Sequence, residues 1–322
     1  MAYKVLVTHR IPAEGLERLK KDCDITLPEE KHFSYEQLKE MIPEYDALIP
    51  VFGFEINKDL ISKGKNLKII ANFGVGYNNI DVEAATHQNI IVTNTPKTVI
   101  EPTAELAFAL LLSLTRRIAE LDAKLKRKEK IQWEVMANLG HTLENKTIGI
   151  VGMGNIGKSL AQKARAFGMR VLYYTRTPLN YTDEKIYEAT SVSFETLLEQ
   201  SNVISLHTPL TEHTHHLLDD EAFRLMKPGT FIINTARGAV IDEKALIRNL
   251  QNKHLGGAGL DVFEFEPNIS EELLAMDNVV LAPHIGTANY ETRKSMAEEA
   301  AENIHQQIRG KTPMNIVNPN VL

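Results

Sequence analysis

Three polar residues in the last third of the chain could act together on one carbonyl group. Arg237 follows the apolar run Phe231-Ile-Ile with Asn-Thr-Ala between, Glu266 comes shortly after Gly259-Leu-Asp261-Val-Phe, and His284 closes Val279-Val-Leu-Ala-Pro. An arginine pairs with a carboxylate through its planar fork and polarises the neighbouring carbonyl. A histidinium gives a proton to a carbonyl oxygen while hydride arrives at carbon. A nearby carboxylate favours the charged imidazolium and orients the ring. Taken singly, an arginine after a strand is usually a surface ion-pair partner and a histidine usually structural. The inference rests on all three, and on what precedes them.

Each of the three lies at or just beyond the carboxyl end of a predicted parallel strand, so the fold should bring them to one sheet edge. The strongest local signal comes earlier, at Thr147 to Gly157, TIGIVGMGNIG. A buried-strand pattern ends in Gly152-x-Gly154-x-x-Gly157, and helical spacing follows through Ile156, Leu160, Ala164 and Phe167. Strand, G-x-G-x-x-G and helix form a dinucleotide-binding fingerprint. One glycine makes the turn, one admits the pyrophosphate and one lets helix and strand pack closely. The anion then rests on the N–H groups of Asn155, Ile156 and Gly157 at the helix start.

Further strands are predicted at 170–174, 203–206, 230–234, 257–260 and 279–281, alternating with helices, which implies a doubly wound parallel sheet. The first 95 or so residues alternate similarly, without a glycine fingerprint. Strands are expected at 4–7, 47–50, 67–71 and 90–93 and an edge strand at 24–27. Helices are expected at 13–20, 35–41, 58–63 and 82–87. A helix at 290–308 is long enough to return to this first domain. The dinucleotide domain, 101–287, is therefore expected as an insertion in a substrate domain, 1–100 and 288–322. One continuous helix is expected from Glu101 to about Arg127. The stretch 129–146 lacks periodicity and holds the single tryptophan, Trp133, which should pack against the body or a partner subunit.

The loop Gly74-Val75-Gly76 directly follows a strand and could present bare N–H groups to an anion, or simply connect. The run Glu212-His213-Thr-His215-His216 has metal-ligand residue types, but histidines on a polar loop are expected to face solvent, and no metal is expected. Composition bounds the rest: 322 residues, 43% hydrophobic and 24% charged, with a net charge of −6. That balance argues for a folded, two-domain chain and against a nucleic-acid binder. One cysteine, Cys23, excludes an intrachain disulfide. No stretch approaches the roughly 20 apolar residues of a membrane span, and the start Tyr3–Thr8 reads as a strand and not as a leader. A cytoplasmic location is expected.

On these motifs the chain resembles the D-isomer-specific 2-hydroxyacid dehydrogenases, especially their glyoxylate/hydroxypyruvate reductase-like branch. The resemblance runs through GVG at 74–76, TAELAFALLL at 103–112 and the fingerprint at 152–157. It continues in HTPLT at 207–211, NTARGAVIDE at 234–243, GLDVFEFEP at 259–267 and PHIGTA at 283–288. It implies two Rossmann/flavodoxin-like domains, no metal and a homodimer formed through the nucleotide domain and the long helix that starts at Glu101. It implies His284 as acid/base, Glu266 as its partner and Arg237 as substrate anchor, with Val75 and Gly76 binding the substrate carboxylate. Thr103, Asp261, His284 and Gly286 would face the nicotinamide. His207, Thr208 and Pro209 would flank the adenine, and Thr235 and Ala236 would also contact the cofactor. The rim of the substrate pocket would include Phe52, Phe54, Phe73, Tyr77 and a partner's Trp133.

One departure bears on the cofactor. Thr175 stands where the family often has an aspartate for the ribose 2′-OH, and Arg176 follows it. Loss of a carboxylate and gain of a cationic fork favour a 2′-phosphate, so NADP(H) is expected ahead of NAD(H). The rival readings are another oxo acid, such as 2-ketogluconate, 3-phosphoglycerate or a bulkier one, and a nucleotide-sensing scaffold or corepressor. Turnover separates the last from an enzyme.

Overall fold

The computed structural model describes residues 2–51 and 53–322, so Phe52 lies outside the described residues. In chain order the regular elements begin β1 (Tyr3–Val7), β2 (Cys23–Thr26), α1 (Tyr35–Met41), β3 (Ala47–Ile49), α2 (Lys58–Lys63), β4 (Ile69–Ala71), α3 (Val82–His87) and β5 (Ile91–Thr93). They continue with α4 (Ile100–Thr115), α5 (Ile118–Lys126), β6 (Thr147–Val151), α6 (Asn155–Ala166), β7 (Arg170–Tyr174), α7 (Tyr181–Tyr187), β8 (Ala189–Ser191), α8 (Phe194–Gln200) and β9 (Val203–Leu206). The last are α9 (Asp220–Leu225), β10 (Thr230–Asn234), α10 (Glu243–Gln251), β11 (Leu255–Leu260), α11 (Glu271–Leu274), β12 (Val279–Leu281) and α12 (Tyr290–Ile308).

The chain divides into two compact units, one of residues 2–99 and 287–322 and one of residues 100–286. The first carries a parallel sheet in the order β2-β1-β3-β4-β5, and the second a parallel sheet in the order β12-β11-β10-β9-β6-β7-β8. Both orders reverse direction at an inner strand pair, β1/β3 and β6/β9. That reversal opens a crevice at the carboxyl ends of the strands. Two apolar clusters cover the two faces of each sheet, as all-parallel strands require. In the first unit α12 supplies Met296, Ala297, Ala300, Ala301 and Ile304 to one of those clusters. The C-terminal segment is stitched to β5 as well: Val92 N–H donates to Asn318 Oδ1 at 2.8 Å, and Asn318 Nδ2 donates to the Ile90 carbonyl at 2.9 Å.

Several sequence expectations are corrected. The helix expected at 13–20 is two short 3-10 turns, Ala13–Leu16 and Leu19–Lys21. Gly15 is the reason: a Cβ there would lie 2.5 Å from Ala297 Cβ, so this segment is pressed against α12. The single helix expected from Glu101 is two helices. The Thr115 carbonyl is taken by His141 N–H at 2.8 Å, and Arg117 turns left-handed at φ 56° before α5 starts. Its side chain then pairs twice with Glu120, at 2.7 Å each. The apolar stripe does not continue through the break, and α5 buries none of its residues. Trp133 does not pack against the body, being 89% exposed. Among the described residues no helix is long and apolar enough to cross a membrane.

Hydrogen bonds from Arg117, aided by Lys124 and opposed by burial, hold the Glu120 carboxyl down at about 2. A folded pKa below the unfolded one adds stability that is complete above the ordinary carboxylate range and is lost as pH falls toward 2. Glu120→Gln should therefore cost on the order of 1–3 kcal/mol near pH 7. Denaturant midpoints should converge with those of the parent protein as pH falls from 5 to 3; a constant gap would show that the carboxylate charge is not the source.

Candidate active site

Asn234 ends β10, and its side chain organises the turn that carries Arg237. Its Nδ2 donates to the Arg237 carbonyl at 3.0 Å and its Oδ1 accepts from Ala236 N–H at 3.0 Å. The next residue, Gly238, packs so closely on the Phe263 backbone that a Cβ would overlap it. Arg237 is thereby fixed beside the turn that holds Glu266. Burial pulls the Arg237 pKa down while the Glu266 charge opposes this, and no carboxylate forms an ion pair with it among the described residues.

Glu266 folds back on its own turn, accepting Phe263 N–H at 3.0 Å through Oε1. Its other oxygen, Oε2, lies 3.0 Å from His284 Nδ1. Burial raises the Glu266 pKa, but the hydrogen bond and charge of His284, the Phe263 N–H and the charge of Arg237 together leave it below the usual range. The acid is thus ionised at neutral pH and fixes the imidazole tautomer with a proton on Nδ1 or on both nitrogens. His284 has φ 53°, a left-handed conformation that costs a non-glycine residue energy. Asp261 holds it there. The Asp261 carbonyl accepts His284 N–H at 2.9 Å, and its carboxylate accepts Ile285 N–H at 2.7 Å and Gly286 N–H at 2.9 Å. Burial raises the Asp261 pKa against those two N–H groups and the His284 charge. Thr103 joins the group from α4: a Cβ on Gly286 would meet Asp261 Oδ2 at 3.2 Å and Thr103 Oγ1 at 3.5 Å.

The glycine fingerprint occupies the adjoining strand ends. Gly152 has φ 96° and a Cβ there would lie 2.5 Å from the His207 carbonyl oxygen, while one on Gly157 would strike the Gly152 carbonyl. At Gly154, by contrast, a Cβ would meet nothing within 4 Å. Side chains of Asn180, Ser193, Asp219 and Asp242 cap α7 to α10, but none caps α6. The first-turn N–H groups of Asn155, Ile156 and Gly157 therefore lack intrahelical acceptors and can bind a pyrophosphate. Thr235 fits the same purpose, since its buried hydroxyl has no hydrogen-bond partner among the described residues. These features fit a dinucleotide. Burial pushes His207 down to about 4, leaving a neutral ring whose Nε2 lies 2.8 Å from Ser205 Oγ. Thr208 and Pro209 follow in the same loop. Thr175 is half-buried beyond β7, and the exposed Arg176 makes no ion pair among the described residues.

Val75 and Gly76 belong to the first unit. There the carbonyls of their loop are all engaged: Asn72 Nδ2 donates to Gly74 O at 3.1 Å and Gly76 O at 2.8 Å, and Asn94 Nδ2 to Val75 O at 2.8 Å. The N–H groups of Val75 and Gly76 have no protein acceptor among the described residues.

The histidine run differs from its expectation. His216 is half-buried, with φ 50°, and its Nε2 lies 2.7 Å from Glu264 Oε1. His215 stacks on it at 3.9 Å with 24° between the planes. The ring nitrogens of His215 and His216 and a Glu264 carboxylate oxygen lie within 4.8 Å of one another, a grouping of ligand types that could hold a metal ion. The sequence reading missed Asn234 and Asn72 as organisers. The available signal was an asparagine at a strand end, a residue type that bonds its own next turn.

Residues 108–286 match the family described as D-isomer specific 2-hydroxyacid dehydrogenase, NAD binding domain. Over its full length the chain is 46% identical to the glyoxylate reductase of Thermococcus litoralis, covering 98% of that protein. It is 41% identical to the glyoxylate reductase of Pyrococcus furiosus, again over the full chain and 97% of the relative. Among solved structures it is similar to a glyoxylate reductase from Paecilomyes thermophila, with a TM-score of 0.89 and 35% identity over 98% of each chain. It is also similar to an NADPH-dependent glyoxylate/hydroxypyruvate reductase from Sinorhizobium meliloti in complex with NADP and malonate. That match has a TM-score of 0.86 and 28% identity over 100% of this chain and 98% of the other. The chain belongs to the D-isomer specific 2-hydroxyacid dehydrogenase family. It is an oxidoreductase that works with a nicotinamide dinucleotide.

The glycines make opposite predictions. Gly157→Ala should lower folding stability by about 1–3 kcal/mol through its collision with backbone. Gly154→Ala should cost less than about 1 kcal/mol in the free protein yet weaken dinucleotide binding at least about tenfold. Thermal melts and cofactor titration by fluorescence separate the two effects; an unchanged cofactor Kd for Gly154→Ala would remove the pyrophosphate from this turn.

Proposed function

We propose that this protein reduces a small 2-oxo acid, such as glyoxylate or hydroxypyruvate, to the 2-hydroxy acid, of D configuration where the product is chiral. The observation that carries this reading is the Glu266–His284 pair at 3.0 Å with Arg237 fixed beside it. When bound, the reduced nicotinamide supplies a hydride to the carbonyl carbon. Arg237 binds the substrate carboxylate and polarises the carbonyl. His284 delivers a proton from Nε2 to the carbonyl oxygen, so that the alcohol forms without a free alkoxide. Glu266 accepts from His284 Nδ1 and holds the ring in line for that transfer. Asp261 positions His284 through the backbone, and with Thr103 and Gly286 it borders the nicotinamide. The unit of residues 100–286 holds the dinucleotide, and the loop of Val75 and Gly76 takes the substrate carboxylate. The names of the relatives at 40–46% identity support this substrate class.

His284→Ala should lower kcat by about 10²–10⁴ with little change in cofactor affinity. Normal turnover would move the acid elsewhere, and absence of any oxidation of NADPH or NADH with a panel of 2-oxo acids would overturn the function.

The preferred cofactor in this reading is NADP(H), because Thr175 brings no repelling carboxylate and Arg176 offers a free fork. Arg176→Ala should reduce kcat/KM for NADPH by about 10–100-fold and change that for NADH little. A parent enzyme that strongly prefers NADH would reject the assignment. A homodimer also belongs to this reading. Trp133, Val135 and Met136 stand 89%, 92% and 77% exposed in one short loop, an apolar run that a second copy would cover. A monomeric mass by light scattering at micromolar concentration would count against it.

A further inference from the structure

Arg293 lies in the first turn of α12, the helix that packs along β4 in the first unit. Its guanidinium carbon stands 5.9 Å from the centre of the Phe73 ring. Phe73 is buried, only 1% exposed, and is the residue between Asn72 and Gly74, where β4 gives way to the loop of Val75 and Gly76. Arg293 is half-buried, and burial lowers its pKa.

Two features of the neighbourhood give that charge a use. The loop carbonyls are taken by Asn72, Asn94 and Thr95 N–H, which leaves the N–H groups of Val75 and Gly76 as unengaged polar groups of the loop among the described residues. A half-buried cation next to such a loop strengthens its attraction for an anion, because its field is screened less than in open water. The cation also stacks on the aromatic side chain from which the loop departs, an interaction stronger for arginine than for a bare apolar contact. Since α12 carries it, Arg293 is held by regular structure and not by a loop of its own.

We propose that Arg293 is a positioning residue for the substrate anion, holding Phe73 and thereby Gly74–Gly76 in register while adding a positive charge beside the residue from which that loop departs. The proposal rests on the reading of that loop as the carboxylate site. Arg293 belongs to the first unit and the glycine fingerprint to the second.

The test is Arg293→Met, which keeps bulk over Phe73 and removes charge, with Arg293→Lys as the charge-retaining variant. For glyoxylate, Arg293→Met should raise KM about 10–100-fold, the effect of losing one charge-assisted contact, with kcat lowered less than about fivefold. NADPH Kd from fluorescence titration should stay within about twofold, and Arg293→Lys should recover part of the KM. The neutral amide of glyoxylic acid should show a smaller loss than glyoxylate, which a merely structural role would not produce. Equal losses for acid and amide, or an unchanged glyoxylate KM, would overturn the proposal. Should Arg293→Met fail to fold, Arg293→Gln, which is equally uncharged, decides it through the same acid-to-amide comparison. Val75→Pro, which deletes one loop N–H, tests the underlying reading separately. If it raises the glyoxylate KM while Arg293→Met does not, only the role of Arg293 falls; if it leaves KM unchanged, the loop is not the carboxylate site.

Discussion

Asp261 holds three successive backbone N–H groups, those of His284, Ile285 and Gly286. Much of the active-site edge depends on this one arrangement. His284 occupies a left-handed conformation that its own side chain disfavours, and only an over-determined surrounding keeps such a residue in place. With the backbone fixed from below by Asp261 and the ring fixed from the side by Glu266, the imidazole has few orientations left. Asp261 itself has a raised pKa from burial, so the bracing carboxylate is held at a cost that its hydrogen bonds must offset. The turn at Arg237 follows the same logic with neutral groups, Asn234 bonding both sides of it and Gly238 admitting the Phe263 backbone.

The topology explains why residues so far apart in sequence can cooperate. In the second unit β10, β11 and β12 are successive neighbours, and the residues just beyond them are Arg237, Glu266 with Asp261, and His284. Each βα connection returns to the same edge, so a parallel sheet collects what its loops carry. The dinucleotide fingerprint lies at β6, on the other side of β9, where the strand order reverses. In the first unit the loop of Val75 and Gly76 likewise leaves the carboxyl end of β4, next but one to β1 across the reversal. The two sheets therefore use one rule twice.

Most of this architecture was legible because buried parallel strands are short apolar runs bounded by turn residues. Thr230–Asn234, Val203–Leu206 and Val279–Leu281 were read to the residue. The Arg237, Glu266 and His284 assignment came from residue type at strand ends, and the structure places all three on one edge. What failed was long-range. The helix continuing past Thr115 had good periodicity, but its termination depends on His141, which arrives from 26 residues on to take a carbonyl. The 3-10 turns near Gly15 depend on Ala297, almost the whole chain away. His216 was read as solvent-facing because nothing local marks Glu264 as its partner. The elements α7, β8 and α8 were passed over, since their short amphipathic segments carry little apolar signal.

The return of α12 to the first unit has a consequence for how the chain matures during synthesis. Residues 2–99 contain a complete five-stranded sheet, yet one face of it is covered only in part, by Leu16, Leu19 and Val99, until Met296, Ala297, Ala300, Ala301 and Ile304 arrive. The residues of the second unit all leave the ribosome before that helix does. The inserted unit can therefore close first, while the unit begun earlier waits with Val5, Ile49 and Ile69 only partly covered. A nascent chain of this design exposes its oldest strands longest. It places its greatest exposure to aggregation, and to chaperone capture, in the interval between the birth of β1 and the release of the last helix.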